Sequence, residues 1–296
     1  PSTTTRRTRA RRLTSTMTIQ RGATLETRQS ARATPCGRNV ARARRASRCR
    51  RSPRVAAADA GLTLDVFDDD AIERGVAVMR ASRDDAPDDA SDDAELLASA
   101  PDWLLAWFLR DRKLDADKAR AKTLKYLEWR RSGYGESELK LSSEVAEEAA
   151  SGKAVLLGER DAQNRPVVYV TLTKHDVETR ELSRTCRLCV KLVDEALEQL
   201  RGEGAGAPET LMCVFDLRGF TMKNADIDFV KFFIKCIFDY FPKRISQVLL
   251  IEPPWVFTPV WQIVKPLMGK YAALVKQVKA KDAKAYFDPE STLFDA

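Results

Sequence analysis

The sequence predicts an α/β fold, with an N-terminal helical bundle followed by a mostly parallel β-sheet with flanking helices. Two observations carry this. Residues 103–131 repeat apolar side chains at helical spacing, whereas from Ala154 onward short β-branched runs alternate with helical stretches. Alternating strand and helix give parallel strands with helices packed on the sheet. A third observation bears on function: two late helices carry more apolar surface than such a sheet alone covers.

The first helix follows Pro101-Asp102, a good helix start, and holds Leu104, Leu105, Trp107, Phe108 and Leu109. Asp115 can cap a second helix over 116–131, where Ala119, Thr123, Tyr126 and Leu127 recur at i, i+3, i+4. Gly133-Tyr134-Gly135 ends it, and a third helical stretch covers 144–150. Residues 154–157 and 167–172 read as a hairpin around the turn at 161–166. A helix follows over 185–200, with Leu188, Leu192, Ala196 and Leu200 on one face. Residues 211–217 form a continuous apolar strand, as expected in a sheet covered on both faces. Then come a helix over 225–241, a buried strand over 248–251, a short helix over 259–268 and a final strand over 274–278.

The helix over 225–241 is polar only along the narrow stripe Asp228, Lys231, Lys235 and Asp239. One apolar face can pack on the sheet; the remaining breadth needs a second apolar neighbour. The segment 255–268, with Trp255, Phe257 and Trp261, has the same excess. Such surplus is either protein core or the wall of an apolar pocket, and periodicity leaves both open.

Charge divides the 296 residues before the fold begins. The formal net charge is +7, yet residues 1–58 hold every positive excess: 16 Arg, no Lys, and Glu26 as the single acid. This Arg-, Ser- and Thr-rich segment cannot bury enough to offset its ordering entropy. It has the composition of an organellar transit peptide, and its heavy Ser/Thr content favours a chloroplast over a mitochondrion. Residues 59–95 reverse the sign and read as an acidic, solvated linker with a short helix around 71–80. The helical module is then expected over 96–150 and the sheet domain over 151–296.

Several function classes are excluded or disfavoured. One histidine, His175, rules out multi-histidine metal sites and leaves little room for histidine catalysis. No G-x-S-x-G nucleophile elbow occurs, and Gly202 to Gly206 form neither a dinucleotide fingerprint nor a Walker loop. Cys186-x-x-Cys189 stands without a second pair, so it reads as ordinary thiols on a helix. The acidic runs lack calcium-loop spacing. The basic N-terminus lacks interleaved aromatics, which argues against specific nucleic-acid binding. No apolar run approaches the roughly 20 residues of a membrane span. The expectation is a non-enzyme without cofactor or metal.

Five motifs in order then resemble one family. LLAWFLRDRKLD at 104–115, with Lys118-Ala119 and Leu127-Glu128-Trp129-Arg130, is similar to the N-terminal helical module of CRAL-TRIO lipid-binding proteins. Arg165-Pro166-Val167-Val168 with Lys174-His175-Asp176 resembles the family's first hairpin. Asp216-Leu217-Arg218-Gly219, Tyr240-Phe241-Pro242-Lys243-Arg244, and IEPPWVF at 251–257 with Trp261 and Val264-Lys265-Pro266 complete the pattern.

The resemblance implies a CRAL-TRIO fold enclosing an apolar cavity between the sheet and a mobile helical gate. It implies a monomer that holds one phospholipid or other hydrophobic small molecule and touches membrane surfaces transiently. The gate would be 257–268. The cavity walls would be Tyr169, Phe220, Phe233, Ile237, Trp255, Phe257, Trp261 and Val264. Headgroup contacts would fall to Arg112, Lys113 and Thr258. The phosphatidylinositol pattern is half present: Trp261 stands where members carry a base, and Phe232, Lys231 and Lys235 stand where they carry an acid. The implied activity is binding of that lipid and its exchange between membranes; the alternative is a lipid sensor or scaffold presenting a lipid to a protein partner.

Overall fold

The computed structural model describes residues 65–81, 90–201, 203–204 and 207–294. The expected transit peptide lies outside the described residues.

Helices open the described chain: α1 (Asp69–Arg80), α2 (Ala90–Ser99), α3 (Asp102–Asp111), α4 (Ala116–Trp129), α5 (Glu136–Leu141) and α6 (Ser143–Ala150). The described part of the expected acidic linker is thus not a solvated spacer. Ile72, Val76 and Met79 recur at i, i+4, i+7, and Val76 and Met79 are buried in the core of the helical module. The acids sit in the first turn of α1, where the helix dipole favours them. Arg80 fastens the end of α1 through bonds to the carbonyls of Leu97, Ala98 and Ala100 and to Asp102.

The sheet has five strands in chain order: β1 (Ala154–Arg160), β2 (Pro166–Thr171), β3 (Leu211–Asp216), β4 (Ile245–Ile251) and β5 (Val275–Val278). β1 and β2 form the expected antiparallel hairpin, and the other pairings are parallel. The crossovers are α7 (Leu182–Arg201), α8 (Ile227–Lys235) and α9 (Thr258–Met268). A sheet that steps in one direction with crossovers of one hand leaves its crossover helices on one face.

The period of two divides the strands accordingly. Val168, Cys213, Phe215, Val248 and Leu250 join the core on the helical face. Val167, Tyr169, Met212, Val214, Leu249 and Ile251 face the other way, against Ala283, Phe287 and Phe294 of the C-terminal segment. Both faces are therefore covered, as the unbroken apolar runs required. α8 is shorter than the expected helix, because Cys236–Tyr240 continues it as a π turn.

Candidate functional site

The surplus apolar surface of the two late helices lines a cavity. Its floor is Phe215, Leu217, Val248 and Leu250 of the sheet and its end. One wall is α8, through Phe229, Val230, Phe233 and Ile234. The opposite wall is α9, through Val260, Trp261, Val264 and Met268, which recur every three to four residues along one face. Phe220 and Phe257 close the end, ring edge to ring face at 5.4 Å. The volume is about 110 Å³. A second cavity of about 60 Å³ continues toward β2 and α7, sharing Leu172, His175, Phe215, Phe229 and Phe233.

One polar edge interrupts these walls. His175 Nε2 lies 3.0 Å from Asp226 Oδ2, and Lys153 Nζ lies 3.5 Å from His175 Nδ1. Asp226 also accepts from Arg180 and from the backbone N–H of Phe229 at the start of α8. Lys153 is held by Glu148 at 2.5 Å and Thr185 at 3.2 Å. Burial holds the His175 imidazole below its usual pKa. The ring is neutral, with Nε2–H donating to Asp226 and Nδ1 accepting from Lys153. Every polar group at this edge is paired within the protein, so it anchors α8 rather than offering a nucleophile.

α9 has a sharp start and stop. Pro259 lies in its first turn, suited to a position that needs no N–H donor. Gly269 ends it at φ 52°, ψ −128°, a conformation open chiefly to glycine. Its outer face sets apolar side chains among Gln262 and Lys265: Ile263 is 54% exposed and Leu267 45%, and Trp255 just before the helix is 86% exposed.

Phe220, Phe233, Phe257, Trp261 and Val264 line the cavity as expected from the sequence. The other expected residues do not. Tyr169 alternates with Val168 and Val170, so it points to the opposite sheet face and donates to Asp216 at 2.8 Å. Ile237 is buried in the π turn beyond α8, inside the core. Trp255 and Thr258 are exposed at the entrance to α9 rather than inside. Arg112 caps the C-terminus of α3 and lies 3.4 Å from Asp111. Lys113 follows with φ 55° and lines neither cavity. The sequence reading passed over His175 and Phe229, which line both cavities. Phe229 was legible as one more ring on the over-apolar helix; His175 carried no local signal of facing a cavity. Among the described residues no three His, Cys, Asp or Glu side chains converge as metal ligands. The Cys186 thiol is pushed up to about 12 by burial, so it is unreactive.

Comparison with known proteins agrees with this architecture. The CRAL/TRIO domain profile matches residues 149–291. The chain is 29% identical over 204 residues to a CRAL-TRIO domain-containing protein of Schizosaccharomyces pombe, covering 65% of this chain and 44% of that protein. It is 29% identical over 174 residues to the phosphatidylinositol transfer protein CSR1 of Eremothecium gossypii, covering 56% of this chain and 39% of that one. The chain therefore spans less than half the length of either relative. The crystal structure of Sfh5 has the same fold, at a TM-score of 0.53 and 15% identity over 74% of this chain and 84% of that one. The profile, the relatives and the sheet with its one-sided helices converge: residues 149–291 form a CRAL-TRIO domain.

Proposed function

We propose that the protein binds one lipid, a phospholipid such as phosphatidylinositol, in the cavity beneath α9 and exchanges it between membranes. The observation that carries this reading is the two-sided α9. Its inner face lines an apolar cavity and its outer face leaves Ile263 and Leu267 in water. A helix with an apolar inner face and exposed Ile263 and Leu267 beside Lys265 suits a gate with lipid beneath it and a bilayer above it. The similarity to the phosphatidylinositol transfer protein CSR1 supports phosphatidylinositol as the lipid.

The cavity volumes, about 110 and 60 Å³, fall below the roughly 300 Å³ of a ligand-sized site. A phospholipid therefore enters only when α9 swings outward. Each acyl CH2 so sheltered avoids about 0.8 kcal/mol of exposure to water. Arg112, part exposed and paired through Nε with Asp111 at 3.4 Å, is the candidate headgroup contact, reached by the headgroup outside the two cavities. This cycle needs no bond-making or bond-breaking.

The test is to purify the full chain, identify co-purifying lipid by mass spectrometry, and follow labelled phosphatidylinositol from donor to acceptor vesicles. A stoichiometric lipid and catalysed exchange are expected, both weakened in Trp261→Ala. A protein that takes up no lipid from vesicles would sink the reading. Uptake without exchange would make it a sensor that presents lipid to a partner.

A further inference from the structure

A larger cavity lies at the other end of the sheet. Glu209 and Arg244 on its wall lie within two residues of the starts of β3 and β4, whereas the cavity under α9 takes Leu217 and Phe220, just past the end of β3. The volume is about 650 Å³, inside the roughly 300–1,000 Å³ range of small-molecule sites. It opens between α3, the C-terminal half of α7 and the segment leading into β3.

Its chemistry differs from that of the first cavity. Four guanidinium groups line it: Arg110, Arg130, Arg201 and Arg244. Two are neutralised. Arg110 makes a two-pronged pair with Glu209 at 2.6 and 2.9 Å, and Arg130 makes one with Asp194. The third carboxylate on the wall, Glu136, is engaged by Lys140 at 3.1 Å. Arg201 and Arg244 have no carboxylate within ion-pair distance among the described residues. Each instead lies over a tryptophan of α3: Arg201 over Trp103 at 4.5 Å and Arg244 over Trp107 at 3.0 Å. Trp107 is fixed by donating Nε1–H to the carbonyl of Pro242 at 3.0 Å.

Arg244 donates one Nη1–H to the carbonyl of Glu209 at 3.0 Å, and its other donors have no acceptor among the described residues. Burial pushes its pKa down to about 9, against the opposing pull of the nearby Glu209 carboxylate. It remains charged at neutral pH. Arg201 and Arg244 thus line one cavity without an ion-pair partner and have guanidinium donors to offer an anion.

We propose that this cavity binds a phosphomonoester, its phosphate held between Arg201 and Arg244 and its body against Trp103 and Leu200. A single tetrahedral dianion matches two positive charges and accepts the forked hydrogen bonds that guanidinium groups present. The site is separate from the cavity under α9 and does not depend on lipid being bound there. The phosphomonoester is free in solution or is the headgroup of a lipid.

The experiment titrates the full chain with phenyl phosphate and follows tryptophan fluorescence, since Trp103 and Trp107 both adjoin the site. Flotation with phosphatidylcholine vesicles containing phosphatidic acid runs in parallel, with phosphatidylserine vesicles as the anionic control. Saturable, salt-weakened binding of phenyl phosphate is expected, lowered about tenfold or more in Arg201→Gln and in Arg244→Gln. Binding to phosphatidic acid vesicles alone, above the phosphatidylserine level and lost in Arg201→Gln, assigns the site to a lipid headgroup. Arg201 is exposed, so its variant keeps the fold if Arg244→Gln does not. Absence of saturable binding to either probe overturns the proposal, as does binding unchanged in Arg201→Gln.

Discussion

His175 places a pH signature on a single residue. It is the one histidine in the chain. The groups around it are Lys153 on one nitrogen, Asp226 on the other, and Arg180 sharing Asp226. Its pKa in the folded protein is lowered below 6.5, chiefly by burial. The unfolded chain therefore takes up a proton that the folded one refuses. Stability from this residue is fully present above pH 6.5 and is lost as pH falls through that value toward the folded pKa. The carboxyl of Asp226 behaves separately: burial raises its pKa, but bonds from Arg180, Phe229 and His175 more than offset this, so its contribution is lost only at lower pH. Denaturant midpoints are expected to fall as pH is lowered from 7.5 to about 5. His175→Gln is expected to flatten that step and keep the later acid loss. An equal slope in the variant would show that His175 does not carry it.

At the scale of elements, helices and strands were legible where a period ran long enough. The hairpin, the order of strand and helix, and α7 and α9 all follow from spacing that local sequence carries. α1 was legible as a short helix around 71–80, but its acids hid the face of Ile72, Val76 and Met79 that packs into the core. α5 lacked a period long enough to see, and the π turn after α8 leaves no local mark. Tyr169 went to the wrong side because the two-residue period was not carried through β2.

The hinge of α9 was likewise visible only as a glycine. At φ 52°, ψ −128°, a non-glycine residue costs on the order of 1 kcal/mol or more, and a Cβ there meets no atom within 4 Å. Gly269→Ala is thus expected to act on conformation alone, loosening the shut gate. Lipid release into acceptor vesicles should quicken several-fold, with a small fall in melting temperature. If stability falls while release is unchanged, Gly269 serves the fold and not the gate.

Across the whole molecule, the sheet separates two regions that sequence could not bring together. Trp107 and Arg244 are 137 positions apart by numbering, yet meet at 3.0 Å. No local pattern reports such a contact, so the arginine-lined cavity was absent from the sequence reading while the apolar one was anticipated from surplus hydrophobicity. Transfer makes a demand on the molecule as a whole: the protein must dock, exchange and leave. In the proposed cycle, docking falls to the outer face of α9 and holding the lipid to the inner face. These can be separated, because Ile263 and Leu267 are half in water and contribute little to the core. Burying the remainder of both in a bilayer is worth about 2 kcal/mol, or roughly thirtyfold in partition. Ile263→Ser with Leu267→Ser is therefore expected to weaken vesicle flotation by about that factor at unchanged melting temperature, with lipid already bound still retained. Exchange between vesicles should fall in parallel. If flotation survives the double substitution, α9 is not the docking surface, and membrane contact must be made elsewhere on the molecule.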